Sequence, residues 1–224
     1  MICIIQARTT STRLKNKILQ KINNESIIEW VIKRAKKIKS VKTIILAIPK
    51  NSKQKKLITI ANKHKCEVFM GSENNVVKRF YDLLKKLKTK DFLRICSDNP
   101  FICHEEIEHL IRYYKKNKLD YAFNTGQDAI FYVDGVGAEI SNVKTLKKIS
   151  NKAKSKEEKE HVFLYLKNNL KKFKISKLKP LNNFYNKPYL KIDVDYLNQL
   201  KFFQKLKINS SMKSTSIIKK ILAR

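Results

Sequence analysis

Short apolar runs of strand length alternate along this chain with stretches whose apolar residues recur at helical spacing, and that alternation confines the chain to a layered α/β fold. Residues 2–5 read as the first strand. After a polar loop, Ile27, Ile28, Val31, Ile32 and Ala35 share one face of a helix expected over 25–38, while Lys33, Lys36 and Lys37 lie elsewhere on it. Further strands are expected at 43–48, 66–70, 92–96, 121–123 and 136–140. Leu57, Ile58 and Ala61 mark a helix, as do Val76, Val77, Phe80, Leu83, Leu84 and Leu87, and residues 104–117 mark another. The second half is less regular. Residues 129–137 suggest a hairpin or flap, 156–170 a helix, 173–178 and 189–192 strand-like segments, and 194–206 and 217–222 closing helices, with 209–215 the one linker. At 224 residues the chain suits a single domain spanning 1–224 with a substantial core.

Lys and Arg number 50 against 19 Asp and Glu, a formal charge of +31 that raises the alternative of a basic nucleic-acid-binding protein. The distribution argues against it. Almost all of the charge is Lys, spread over every helical segment, as in Lys36-Lys37, Lys55-Lys56, Lys85-Lys86 and Lys171-Lys172, whereas base readout favours Arg. No specific nucleic-acid partner is therefore expected. Cys3, Cys66, Cys96 and Cys103 have no paired C-x-x-C spacing, which points to neither a disulfide framework nor a zinc site. No apolar run approaches the roughly 20 residues that span a bilayer, so a cytoplasmic protein without a membrane partner is expected.

Ligands of open α/β sheets collect beyond the carboxyl ends of the strands. Just after the first strand comes Gln6-Ala7-Arg8-Thr9-Thr10-Ser11-Thr12-Arg13-Leu14-Lys15-Asn16-Lys17, whose hydroxyls and cations suit a triphosphate, although the segment lacks glycine and is no Walker loop. Its alternative is an ordinary solvated loop. Asp98 follows the strand at 92–96, and Asp193-Val194-Asp195 follows a later one. Two such carboxylates could converge on Mg²⁺, or each could simply cap a helix. Glu139 and His161 carry little signal alone.

One ordered series runs over nearly the whole chain. It comprises Ile4-Ile5-Gln6-Ala7-Arg8 with Ser11-Thr12-Arg13-Leu14 and Lys17; Gly71-Ser72-Glu73 with Arg79-Phe80-Tyr81; Arg94-Ile95 with Asp98 and Pro100; Asp134-Gly135 with Glu139; Glu160-His161-Val162; and Ile192-Asp193 before a final helix. The series resembles the cytidylyltransferases of the spore-coat-polysaccharide type, relatives of the acylneuraminate and 3-deoxy-manno-octulosonate cytidylyltransferases. The resemblance implies a three-layer, Rossmann-like nucleotidyltransferase fold with a central, mostly parallel sheet and a small flap or hairpin. It also implies an enzyme that moves CMP from CTP to a small sugar-like or phosphorylated acceptor, with pyrophosphate leaving.

By the same resemblance, Ala7, Arg8, Ser11, Arg13 and Lys17 bind the triphosphate, and Gly71, Ser72 and Arg79 lie near the nucleotide. Asp98 and Asp193 hold Mg²⁺, with Asp195 a weaker candidate, while Asp134, Glu139 and His161 face the acceptor. Arg8, Lys17 and Asp98 are the expected catalytic groups, and a homodimer is a possible assembly. The sequence departs from the family where glycines are usual: Thr10, Lys15-Asn16 in place of Pro-Gly, and Ser97. Losing glycine limits close approach of backbone to phosphate. A metal-dependent nucleotide-sugar glycosyltransferase is the enzymatic alternative, since Asp193-Val194-Asp195 is a D-x-D pattern.

Overall fold

The computed structural model describes residues 1–11, 13–126 and 128–223; Thr12 of the first loop, Gln127 just before the expected flap and Arg224 lie outside the described residues, and Ser52 is described by its backbone alone. In chain order the elements are β1 (Ile2–Gln6), β2 (Lys21–Ile22), β3 (Glu25–Ser26), α1 (Ile27–Ala35), β4 (Thr43–Pro49), α2 (Lys55–Lys63), β5 (Glu67–Gly71), α3 (Val76–Lys86), β6 (Asp91–Cys96) and α4 (His104–Asn117). They continue with β7 (Tyr121–Phe123), β8 (Glu139–Asn142), α5 (Val143–Lys152), α6 (Lys156–Glu160), α7 (Leu164–Lys167), α8 (Leu197–Gln204) and α9 (Ser214–Leu222).

Because successive residues of a strand face opposite sides of the sheet, the unbroken apolar run of β1 feeds two cores. Cys3 and Ile5 pack with Ile44, Leu46, Leu93 and Ile95 under α1, α2, α4, α8 and α9. Ile4 packs with Ile45, Ala47 and Phe92 under α3, α5 and α7. The result is three layers around a six-stranded sheet of order β5-β4-β1-β6-β8-β7. The first four strands in that order are parallel, and β8 runs antiparallel to both β6 and β7. All four parallel strands therefore end on the same edge, where the Gln6 and Asp98 segments emerge.

Helix termini follow their sequence signals. Ser26 and Glu29 form a reciprocal capping box at the start of α1, which also takes one turn from the expected helix: Glu25–Ser26 pairs instead with Lys21–Ile22. The fold's small hairpin is thus at 21–26. The segment 129–137 contains no strand, only an isolated bridge from Asp134 to Lys191.

Several expectations need correction. The helix expected over 156–170 is broken: between α6 and α7, Val162 and Phe163 turn inward to the core while His161 stays at the surface. Residues 173–178 and 189–192 form no ladder, contributing single bridges. Helix α5 was not anticipated, although Asn142 caps it and Leu146 and Ile149 are its buried face. The expected linker at 209–215 is held down, because the buried guanidinium of Arg34 donates to the carbonyls of Ser210 (3.1 Å) and Met212 (2.8 Å) and bonds the Ser214 hydroxyl.

Candidate functional site

Beyond the carboxyl ends of β1 and β6 lies a cleft of about 270 Å³ whose walls include Arg8, Ser11, Arg13, Lys17, Arg79, Asp98 and His161. The first loop is fixed at both ends. Ala7 continues the β1–β4 ladder by donating to the Ala47 carbonyl at 3.2 Å, and the buried Thr9 amide donates to Gln54 Oε1 at 3.4 Å. At the far end Asn16 adopts the left-handed conformation (φ 52°, ψ 35°). Asparagine tolerates that region better than most side chains, so here it replaces a glycine without distorting the turn that aims Lys17 inward. Thr10 and Ser97 are not among the described residues at positive φ, and their positions make no glycine-like demand on the backbone.

Lys17 is 7% exposed. Its ammonium donates to Asp98 Oδ2 at 2.7 Å and to Asp195 Oδ1 at 2.9 Å, while Arg13 donates to the other Asp195 oxygen at 2.6 Å. The Arg13 guanidinium also lies over the Tyr196 ring, 5.6 Å from its centroid. These contacts close a gap of nearly 180 residues, which the backbone supports. Val194 donates its amide to the Asp98 carbonyl at 3.0 Å. Gly135, at φ +100°, lets the 134 segment lie so close that a Cβ there would meet the Asp193 nitrogen at 2.9 Å. Neither Asp98 nor Asp193 caps a helix: Cys103 stands at the N-cap of α4 and Tyr196 at that of α8. The helix-cap alternative therefore fails for both.

Asp193 is the odd carboxylate. Its Oδ1 is buried without a hydrogen-bond partner, and Lys191 reaches Oδ2 only at 3.4 Å. Burial, assisted by the charges of Asp195, Asp134 and Asp98 against the pull of Lys191, pushes its carboxyl up to about 7. A divalent cation would supply the missing partner and reverse that shift. Among the described residues no three or more His, Cys, Asp or Glu side chains form a metal cage. Asp98 and Asp193 would thus hold an ion that takes its remaining oxygens from phosphate and water, as Mg²⁺ does. Asp195 is unsuited, since Lys17 and Arg13 occupy both its oxygens.

On the opposite wall, Arg79 is buried without a carboxylate partner. It donates to the carbonyls of Ser72 (2.8 Å) and Glu73 (3.2 Å) and so shapes the turn after β5. Burial, then the neighbouring charge of Arg8, pulls it down to about 10. Gly71 makes room for it: a Cβ there would stand 2.7 Å from Arg79 Cγ. Arg8 is half exposed and pairs with Glu160 at 2.8 Å.

The three expected acceptor-side residues do not gather at one point. Glu139 is buried on β8, bound by Arg94 and by the Tyr121 hydroxyl. Asp134 accepts the Gly126 amide at 2.7 Å and stands near Asp193. His161 is exposed. A second groove of about 310 Å³, lined by Asp128, Glu139, Phe163 and Lys167 among others, meets the first cleft at Arg94 and His161. Tyr121 carries no motif signal and Gln6 no expected role, yet Gln6 lines the first cleft and accepts from Arg94 at 2.8 and 3.0 Å.

A mostly parallel sheet with a cationic cleft beyond the carboxyl ends of its strands is the Rossmann-like architecture shared with nucleotidyltransferases. The profile of the cytidylyltransferase family matches residues 2–178, and the chain belongs to that family. It is 32% identical over 206 residues to an uncharacterised protein of Methanocaldococcus jannaschii, covering 92% of this chain and 82% of that one. It is 26% identical over 200 residues to the spore coat polysaccharide biosynthesis protein SpsF of Bacillus subtilis, covering 86% and 80%. A solved cytidylyltransferase from Leptospira borgpetersenii superposes with a TM-score of 0.88 at 21% identity, over 99% of this chain and 94% of that one, a likeness of fold. No helix among the described residues is long and apolar enough to cross a membrane.

Proposed function

We propose that the protein transfers CMP from CTP to a small sugar-like or phosphorylated acceptor, releasing pyrophosphate, as a cytoplasmic step in building a cell-surface polysaccharide or glycoconjugate. The observation that carries this reading is the meeting of first-loop cations with the Asp98 carboxylate in one cleft, with Asp193 near enough to Asp98 for their charges to interact, in a chain of the cytidylyltransferase family.

Arg8, Arg13 and Lys17 bind the β- and γ-phosphates and balance the charge that grows on the departing pyrophosphate. The turn after β5, braced by Arg79, borders the nucleoside. An acceptor oxygen enters from the groove beside Glu139 and His161 and attacks the α-phosphorus opposite the leaving group, with no covalent enzyme intermediate. Asp98 and Asp193 hold Mg²⁺, which supplies polarisation of the phosphate and neutralisation of the leaving charge. The D-x-D alternative is disfavoured because Asp195 is committed to Lys17 and Arg13.

A ligand that binds the native state alone stabilises it by mass action. CTP with Mg²⁺ should therefore raise the melting temperature more than ATP, GTP or UTP does. Equal shifts for all four triphosphates would deny base recognition, and a larger shift with a UDP-sugar would favour a glycosyltransferase.

A further inference from the structure

Lys17 stands where two demands meet. Its ammonium lies against two carboxylates, at 2.7 Å from Asp98 and 2.9 Å from Asp195, and it also lines the cleft assigned to phosphate. A buried ammonium is a compact monovalent cation with three donors. Between carboxylates it fills the electrostatic place of a metal ion, and a second cation at Asp98 Oδ2 would be repelled by it. The two carboxylates are not equivalent. Arg13 keeps Asp195 neutralised whether or not Lys17 is present, since it holds the other oxygen. Among these contacts Asp98 has Lys17 as its charged partner, so departure of Lys17 would liberate one carboxylate, beside Asp193 with its unpartnered Oδ1.

We propose that Lys17 is a tethered counter-cation that withholds Asp98 from a divalent ion until a polyphosphate draws the ammonium away, so that polyphosphate and metal bind as a coupled pair. This rests on the triphosphate reading of the cleft and not on the identity of the base. Coupling of this kind is reciprocal. Removing the ammonium should therefore move two affinities in opposite directions, metal tighter and polyphosphate weaker, whereas loss of a merely structural contact would weaken both.

The test uses nucleotide-free protein and Mn²⁺, read by electron paramagnetic resonance as a stand-in for Mg²⁺. Lys17→Gln should bind Mn²⁺ roughly tenfold more tightly than wild type and inorganic tripolyphosphate more weakly, while Lys17→Arg keeps the wild-type Mn²⁺ affinity. Folded Lys17→Gln protein with unchanged or weaker Mn²⁺ binding would overturn the proposal.

A second pair of variants guards against misfolding of the first. In EDTA, at a pH well above the raised Asp193 carboxyl so that both carboxylates are ionised, Asp98→Asn frees Lys17 from one of its two carboxylates and should bind inorganic tripolyphosphate more tightly than Asp193→Asn, which removes the same charge without touching Lys17. Equal gains in the two variants would also overturn the proposal. Neither probe carries a base or an acceptor, so failure here is distinguishable from failure of the CTP reading.

Discussion

Asp195→Asn isolates the contact that joins the first loop to the late segment. At 2.9 Å and an effective dielectric of about 20, the Lys17–Asp195 attraction alone is worth up to about 6 kcal/mol, most of which desolvation offsets. Losing one partner of a buried pair costs about 3–5 kcal/mol. Lys17 keeps Asp98, however, and the Arg13 side chain is 52% exposed, so its share is screened. The net cost should be about 2 kcal/mol. For a chain of 224 residues that lowers the melting temperature by about 4–8 °C, which calorimetry would measure. A variant melting within about 1 °C of wild type would refute the claim that Asp195 organises the loop.

Asp98→Asn should fold normally but lose at least roughly two orders of magnitude in turnover, and Asp193→Asn likewise; the double variant should fall well short of the summed losses, as for groups acting as one unit. Rate assays on all three would expose near-normal turnover, which would contradict the metal assignment. Gly71→Ala drives a methyl to 2.7 Å from Arg79 Cγ and should cost about 1–3 kcal/mol in urea unfolding, with weaker nucleotide binding as the Ser72–Glu73 turn shifts. At Glu29, burial would raise the carboxyl, but bonds from His64 (3.0 Å), Lys63 (2.9 Å) and Ser26 hold it well below the usual range. Its stabilisation is thus complete above about pH 4.5 and is lost as pH falls toward the depressed value. Glu29→Gln, which keeps the capping box, should show a shallower loss of stability on acidification from pH ~5 to ~3.

The first half of the fold was legible because β1, β4 and β6 are buried on both faces and, with the edge strand β5, alternate with amphipathic helices, so period and apolar content agree. The second half was harder to read for specific reasons. Phe173–Leu178 has strand-like composition, but its one bridge is Tyr121 to Ile175. Helix α5 hides its apolar face among lysines. The break at His161 follows from Val162 and Phe163 turning inward, which no local propensity encodes. At the site, the cationic loop and Asp98 stand out in the sequence because they follow strand ends. Asp195 as the partner of Lys17 and Arg13 did not, because that role depends on contacts across more than 170 residues. The Arg94, Gln6, Glu139 and Tyr121 cluster is likewise a product of strand register, in which Arg94 opposes Glu139.

The central claim is best tested by pyrophosphate release from purified protein with Mg²⁺, each of the four ribonucleoside triphosphates in turn, and a panel of sugar and phosphorylated acceptors. The account predicts release that requires CTP and one acceptor class together and that collapses in Asp98→Asn. Release that is independent of the base or of any acceptor, or that survives in Asp98→Asn, would contradict it.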